Sequence, residues 1–246
     1  MEWETFKNPP IIECLLDIRV SLPVESDLLE LEKIETYTKS NFTTKRKIEE
    51  WQTDLKIKDG IPEPSQTSGK QIGYQFISND KKIVQVRLNG FTFHKLKPYE
   101  SWEKLRDEAK KLWENYKEVA KPKSVTRIAL RYINRLELPL PFKDFKEYIM
   151  TIPEMAPEVP QGLSSYFMRL VIPDPDSQSV GIVTEVMEPV VQGKEILTII
   201  FDIDVFQEKI LEPESAEIWS ILEALRNLKN RIFFKSITPK TEELFR

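Results

Sequence analysis

The chain has 246 residues, 40% apolar and 31% charged, which suits one large or two small folded domains with a proper core. A net charge of −4 excludes a protein that coats nucleic acid over its whole surface, but it leaves room for a local basic patch. One cysteine, Cys14, and one histidine, His94, exclude an internal disulfide framework and a Cys/His zinc site built from this chain alone; Ser-His-Asp or Cys-His catalysis would have to run through that single imidazole.

The lone cysteine fits a reducing cytoplasm. The opening MEWETFKNPP has neither a basic n-region nor an apolar h-region, so no signal peptide is expected. No run reaches the roughly 20 apolar residues that span a bilayer. The longest candidate, Ile196 to Val205, is interrupted by Asp202 and Asp204, so no membrane partner is expected.

In chain order, Ile11 to Val20 reads as a half-buried strand: Ile12, Cys14, Leu16, Ile18 and Val20 alternate with Glu13, Asp17 and Arg19. A short amphipathic helix follows, with Ser26 as N-cap and Leu28, Leu29, Leu31 and Ile34 on its inner side. Lys47 to Lys58 reads as a strand, and Ile61 to Lys70, rich in proline, serine and glycine, as an exposed loop. A meander comes next: Gln71 to Ser78, a turn at Asn79-Asp80, Lys82 to Leu88, a turn or bulge at Asn89-Gly90, then Phe91 to Leu96. Tyr99 opens a long helix whose apolar stripe is Trp102, Leu105, Ala109, Leu112, Trp113 and Tyr116.

The second half repeats this order. Val125 to Leu138 is its opening strand, Phe142 to Met150 a short helix, and Pro153 to Pro160 a loop. Strands at Ser165 to Ile172, Gly181 to Met187 and Glu195 to Val205 follow, joined by turns at Pro173 to Asp176 and at Gln192-Gly193. The last long helix, from Ser215 to about Phe233, buries Ile218, Trp219, Leu222, Leu225 and Leu228, and Thr238-Pro239 opens a short tail helix. The expected fold is therefore α+β: two internally duplicated β-α-β(3-4)-α halves, 1–122 and 123–246, forming one pseudo-symmetric domain. Its curved antiparallel sheet would grip two long helices, with the two opening strands at the centre.

Three stretches carry a resemblance: "FKNPPIIECLLDIRV", "GYQFISNDKKIVQVRLNGFTFHKLKPYESWEKLRDEAKKLW" and "RIALRYINRLELP". Over about the first 140 residues they resemble a sporadically distributed, functionally uncharacterised prokaryotic family. Its members have an N-P-P-x-x-E opening strand, a Q-x-x-x-x-x-F…Y-x-x-W segment and an R-Y-I-N-R strand. The resemblance implies no activity, cofactor or catalytic residue; the sporadic distribution looks like that of mobile defence or toxin-linked genes.

Chemistry concentrates on the strand "IALRYINRLELP". With Arg127 just before it, period-two alternation puts Arg127, Arg131 and Arg135 on one face, opposite Ile128, Leu130, Tyr132 and Leu136; Asn134 interrupts that apolar set. Either these arginines pair with sheet-face acids as architecture, or some stay free to hold phosphates, which the guanidinium fork suits. Lys121 and Lys123 extend the basic run, and Arg226, Lys229, Arg231, Lys235 and Lys240 cluster around the end of the last helix. If the two groups adjoin, they form a basic strip for a nucleic-acid backbone, with Lys121, Lys123, Arg127, Arg131, Arg135, Arg231 and Lys235 as contacts. Glu13, Asp17, Asp202 and Asp204 are the alternative, as Mg²⁺ ligands of a phosphohydrolase or nucleotidyl-handling enzyme. Against that stand the lack of an E-x-E-x-K strand, a Walker A sequence or a G-x-G-x-x-G motif. His94 reads as structural, Cys14 as a small buried hydrophobe, and Trp102 and Trp219 as helix anchors. The resulting expectation is a non-catalytic accessory subunit without a cofactor. It would dock a partner protein, with nucleic acid contacting the basic strip.

Overall fold

The computed structural model describes residues 3–53, 56–58, 61–63, 67–190 and 193–246. The first strand, β1 (Ile11–Ser21), is followed by the short helices α1 (Leu28–Glu32) and α2 (Glu35–Thr38). Strands β2 (Phe42–Thr53), β3 (Lys56–Lys58), β4 (Ile61–Glu63), β5 (Thr67–Ser78), β6 (Lys82–Arg87) and β7 (Gly90–Leu96) lead into helix α3 (Trp102–Ala120). Then come β8 (Ser124–Pro139), β9 (Tyr166–Asp174), β10 (Ser179–Met187), β11 (Ile196–Leu211), α4 (Glu217–Ser236) and α5 (Pro239–Glu243).

The architecture is α+β. Among the described residues, nine strands form one open antiparallel sheet in the order β2-β5-β6-β7-β1-β8-β11-β10-β9, and β3 pairs with β4 in a separate ribbon. The alternation read from the sequence decides which face each strand buries. Cys14, Leu16, Ile18, Leu130, Tyr132, Phe91, Phe93, Phe201 and Ile203 all point to one side and are at most 2% exposed. Register puts them in rows, with Leu16 opposite both Phe93 and Leu130, and Tyr132 opposite Ile203.

Helices α3 and α4 cover that side. Ser101 caps α3 by accepting from the Lys104 N–H, and Trp113 and Tyr116 pack their rings against Phe91. The Tyr116 hydroxyl donates to the Arg87 carbonyl oxygen at 2.9 Å, fastening helix to sheet. The two helices lie side by side and run in opposite directions. Trp102 Nε1 and Arg106 both donate to Glu223 at the α3 start, and Lys117 pairs with Glu214 at the α3 end.

Several local readings need correcting. The N-cap of α1 is Asp27, whose carboxylate accepts from the Leu29 N–H at 3.0 Å, and Leu29 is exposed while Leu31 and Ile34 are buried. The strand read at Lys47 to Lys58 begins at Phe42, and part of the expected loop at Ile61 to Lys70 is strand, because β2 and β5 stay paired out to Thr53 and Thr67. Pro64 and Ser65 of that loop, Asp54 and Leu55 of that strand, and Gln192 of the predicted turn lie outside the described residues. The segment Phe142 to Met150 forms only a 3-10 turn at Phe145–Glu147, because an Asp144 capping box and the Ile149–Ile237 bridge fix it as a connector. Trp219 is half-buried under Lys110, whose Nζ lies 5.8 Å from its ring centroid, rather than an interior anchor.

Candidate docking surface on the open sheet face

The second face of the sheet takes the other half of each alternation. On it, Asp17 is the hub: it is 5% exposed although it points away from the helices. Arg87 Nη2 donates to it at 2.8 Å, Thr92 Oγ1 at 2.7 Å and Arg19 Nε at 2.9 Å, while Arg127 stands at 3.6 Å. Arg87 is held in turn by Gln85 Oε1 at 2.8 Å and Thr92 Oγ1 at 2.7 Å. Antiparallel register makes this convergence possible, since Thr92 sits opposite both Asp17 and Gln85.

The three arginines of β8 are each engaged. Arg127 bridges Asp17 and Asp204, both at 3.6 Å, and its guanidinium lies 4.3 Å from the Phe206 ring centroid. Arg131 makes a two-pronged contact to Asp202 at 2.8 and 2.5 Å, which holds its pKa above the ordinary arginine value. Arg135 reaches Glu137 at 3.1 Å, Glu188 at 3.3 Å and Thr198 Oγ1 at 3.3 Å. The strand is therefore a charge ladder already closed within the sheet.

Three of the candidate metal ligands, Asp17, Asp202 and Asp204, are held by the same arginines. Glu13 pairs with His94 Nδ1 at 2.7 Å, a hydrogen bond that lowers its pKa, whereas burial raises that of Asp204. Among the described residues no three His, Cys, Asp or Glu side chains come together to hold a metal ion, so Glu13, Asp17, Asp202 and Asp204 do not form the cluster that the Mg²⁺ reading needs. The Glu13–His94 pair is an acid–imidazole pair, but among the described residues buried His94 Nε2 has no hydrogen-bond partner, hence no hydroxyl or thiol to activate.

The remaining basic residues do not join into one strip. Lys121 is the left-handed C-cap of α3, with φ of 47°, and the Lys123 N–H donates to the Ser21 carbonyl oxygen at 2.8 Å. Both lie at the end where α4 begins. Arg231 and Lys235 lie near its other end, roughly 20 Å along the helix at ~1.5 Å per residue. Arg231 pairs with Asp174 at 2.5 Å, and Lys235 is exposed in the last turn of α4.

Between the closed ion pairs stand apolar side chains. Leu15, Ile83, Ile133, Ile182 and Phe206 are half-buried on this face, and toward the edge strand Val171 and Phe167 are 53% and 69% exposed. Rows of register connect them: Val171, Ile182, Asp204, Arg131, Leu15, His94 and Ile83 form one line across the sheet. Arg87, Thr92 and Gln85 were absent from the sequence reading. Their place beside Asp17 depends on strand register, although Gln85 and Arg87 do share one face of β6 by simple alternation.

Compared with known proteins, the chain matches no family model, no curated protein and no solved structure.

Proposed function

We propose that the protein is a non-catalytic docking subunit and that its open sheet face receives a partner protein. The observation that carries this reading is the combination on that face of charges satisfied by one another and apolar side chains left partly exposed between them. Such a surface loses little when it is desolvated, because its arginines and acids keep their partners, and the area around Leu15, Ile133, Ile182 and Phe206 supplies the gain. Nucleic acid draws less support, since Arg127, Arg131 and Arg135 would have to give up carboxylates to bind phosphate.

In the same reading the two halves, 1–122 and 123–246, are copies of one unit. Support comes from the central pairing of β1 with β8, the flanking strands on either side, and the 19- and 20-residue helices that follow each set. A prokaryotic defence or nucleic-acid-targeting complex is the setting suggested by the family resemblance alone, and a cytoplasmic location follows from the single-cysteine composition.

The test is co-purification with the tagged full chain, wild type against an Ile133→Glu, Ile182→Glu double variant of matched melting temperature. A stoichiometric partner retained by the wild type and lost by the variant supports the reading. A partner retained equally by both, or none at all, contradicts it.

A further inference from the structure

The helix side of the sheet carries a cavity of about 230 Å³, open to solvent on one side and lined by the N-terminal segment, the start of α3, α4 and β8. Phe6, Tyr99, Trp102 and Phe234 contribute aromatic walls, and Arg226 and Lys229 contribute cations. Lys229 is only 9% exposed and makes no hydrogen bond or ion pair with any described residue; its Nζ lies 4.0 Å from the Tyr132 ring centroid. Two of the three carboxylates lining the cavity are committed to cations other than Arg226 and Lys229, and the third stands near Arg226. Glu4 is held by Arg246 at 2.8 Å and Glu100 by Lys104 at 2.6 Å, while Glu103 reaches only Arg226, at 3.9 Å.

A buried amine without a counter-charge is costly in its charged form. Burial first, and then the neighbouring Arg226 guanidinium, bring the Lys229 amine down from 10.5 to about 7. An aromatic-walled cavity can serve as a cage for cations. Here the ring faces are already taken by resident cations, Lys229 over Tyr132 and Arg226 over Trp102 at 5.7 Å. Arg226 stands between Glu103 at 3.9 Å and Glu223 at 3.8 Å, so the charge the site lacks is a negative one beside Lys229. The three carboxylates on the lining disfavour a dianion. The volume falls below the roughly 300–1,000 Å³ of pockets for drug-sized ligands, which points to a single-ring molecule.

We propose that this cavity binds a small organic monocarboxylate, with its apolar body against the aromatic walls and its carboxylate on Lys229 beside Arg226. The site lies on the opposite side of the sheet from the docking surface and stands or falls independently of it.

The experiment is calorimetric titration of the full chain with benzoate and phenylacetate, with inorganic phosphate and tetramethylammonium as controls. The expected result is saturable one-to-one binding of at least one of the acids. Lys229→Met, which replaces the amine by an apolar chain of similar length, weakens it by about 30-fold or more. Arg226→Gln, at a side chain 33% exposed, provides a second variant that weakens binding with little risk to the fold. Absence of saturable acid binding in the wild type overturns the proposal. So does unchanged affinity in Lys229→Met, or binding of phosphate or tetramethylammonium in place of the acids.

Discussion

Asp17 and Asp202 lie on the same face of the same sheet, yet burial gives them different weights. Asp17 and its main partner Arg87 have side chains 8% and 11% exposed, whereas the Arg131 side chain that holds Asp202 is 40% exposed. Asp17→Ala leaves Arg87 buried without its principal counter-charge and should cost about 3 kcal/mol. Asp202→Ala should cost about 1 kcal/mol or less, because water can replace the lost partner. Urea unfolding of the two variants measures the difference; equal losses would show that burial does not grade the network. The sequence placed both acids on one face by alternation, but the link from Asp17 to Arg87 spans 70 residues and depends on the register of β6, β7 and β1. No local pattern carries that information.

Lys229 offers the opposite lesson. By sequence it belongs to the basic cluster around the end of the last helix, yet it is buried. Its position in fact continues the apolar stripe Ile218, Leu222, Leu225 and Phe233 at spacings of three and four, so helical periodicity already marked it as inward-facing. The groups facing it are Arg226 on its own helix, Cys14 from β1 and Tyr132 from β8, with the Cys14 thiol pushed up by burial to about 12. Between about pH 7 and 10.5 the unfolded chain holds a proton on this amine that the folded chain has released. Stability from this group therefore rises with pH across that window. Unfolding free energies measured from pH 7 to 10 should show a smaller rise in Lys229→Met than in the wild type; parallel profiles would contradict a depressed amine.

At the scale of elements, strands with clean alternation and helices with wide apolar stripes were legible. The opening strand, the core of the meander, α4 and the Thr238-Pro239 start of α5 lie where periodicity puts them, and so does α3, although it begins at Trp102 after the Ser101 cap rather than at Tyr99. Elements shaped by tertiary partners were not. The outer part of β5, in a stretch of Gly, Ser and Thr, looks like loop until β2 supplies its hydrogen-bonding partner. The segment around Phe145 has helical spacing, but its rings pack onto Phe142 and Tyr166 and the chain turns away. The end of α3 is also set by conformation rather than composition: Lys121 takes up a left-handed C-cap where glycine carries no Cβ penalty. Lys121→Gly should leave the fold intact and stabilise it by about 0.5 kcal/mol, read as a small rise in melting temperature. A clear loss of stability would mean that the lysine side chain holds the cap in some other way.

At the scale of the molecule, both faces of the sheet were legible as surfaces, one apolar and one charged, but the balance of the charged face was not. Alternation could not say whether Arg127, Arg131 and Arg135 were free or neutralised; cross-strand pairing decides it, and all three meet carboxylates. Of the two readings of the arginine strand, paired architecture and a phosphate ladder, the pairing supports the first, on a face that also carries partly exposed apolar side chains. The two basic groups, which would form one strip only if they adjoined, are kept apart by antiparallel packing of α3 and α4. The most direct test of the docking account is covalent footprinting of the chain alone and in complex with the partner it co-purifies. The account predicts protection of Leu15, Phe167, Val171, Ile182 and Phe206 on the open face, with outward-facing residues of α3 and α4 unchanged. Protection confined to the helices, with those five side chains labelled as fully as in the free chain, would contradict it.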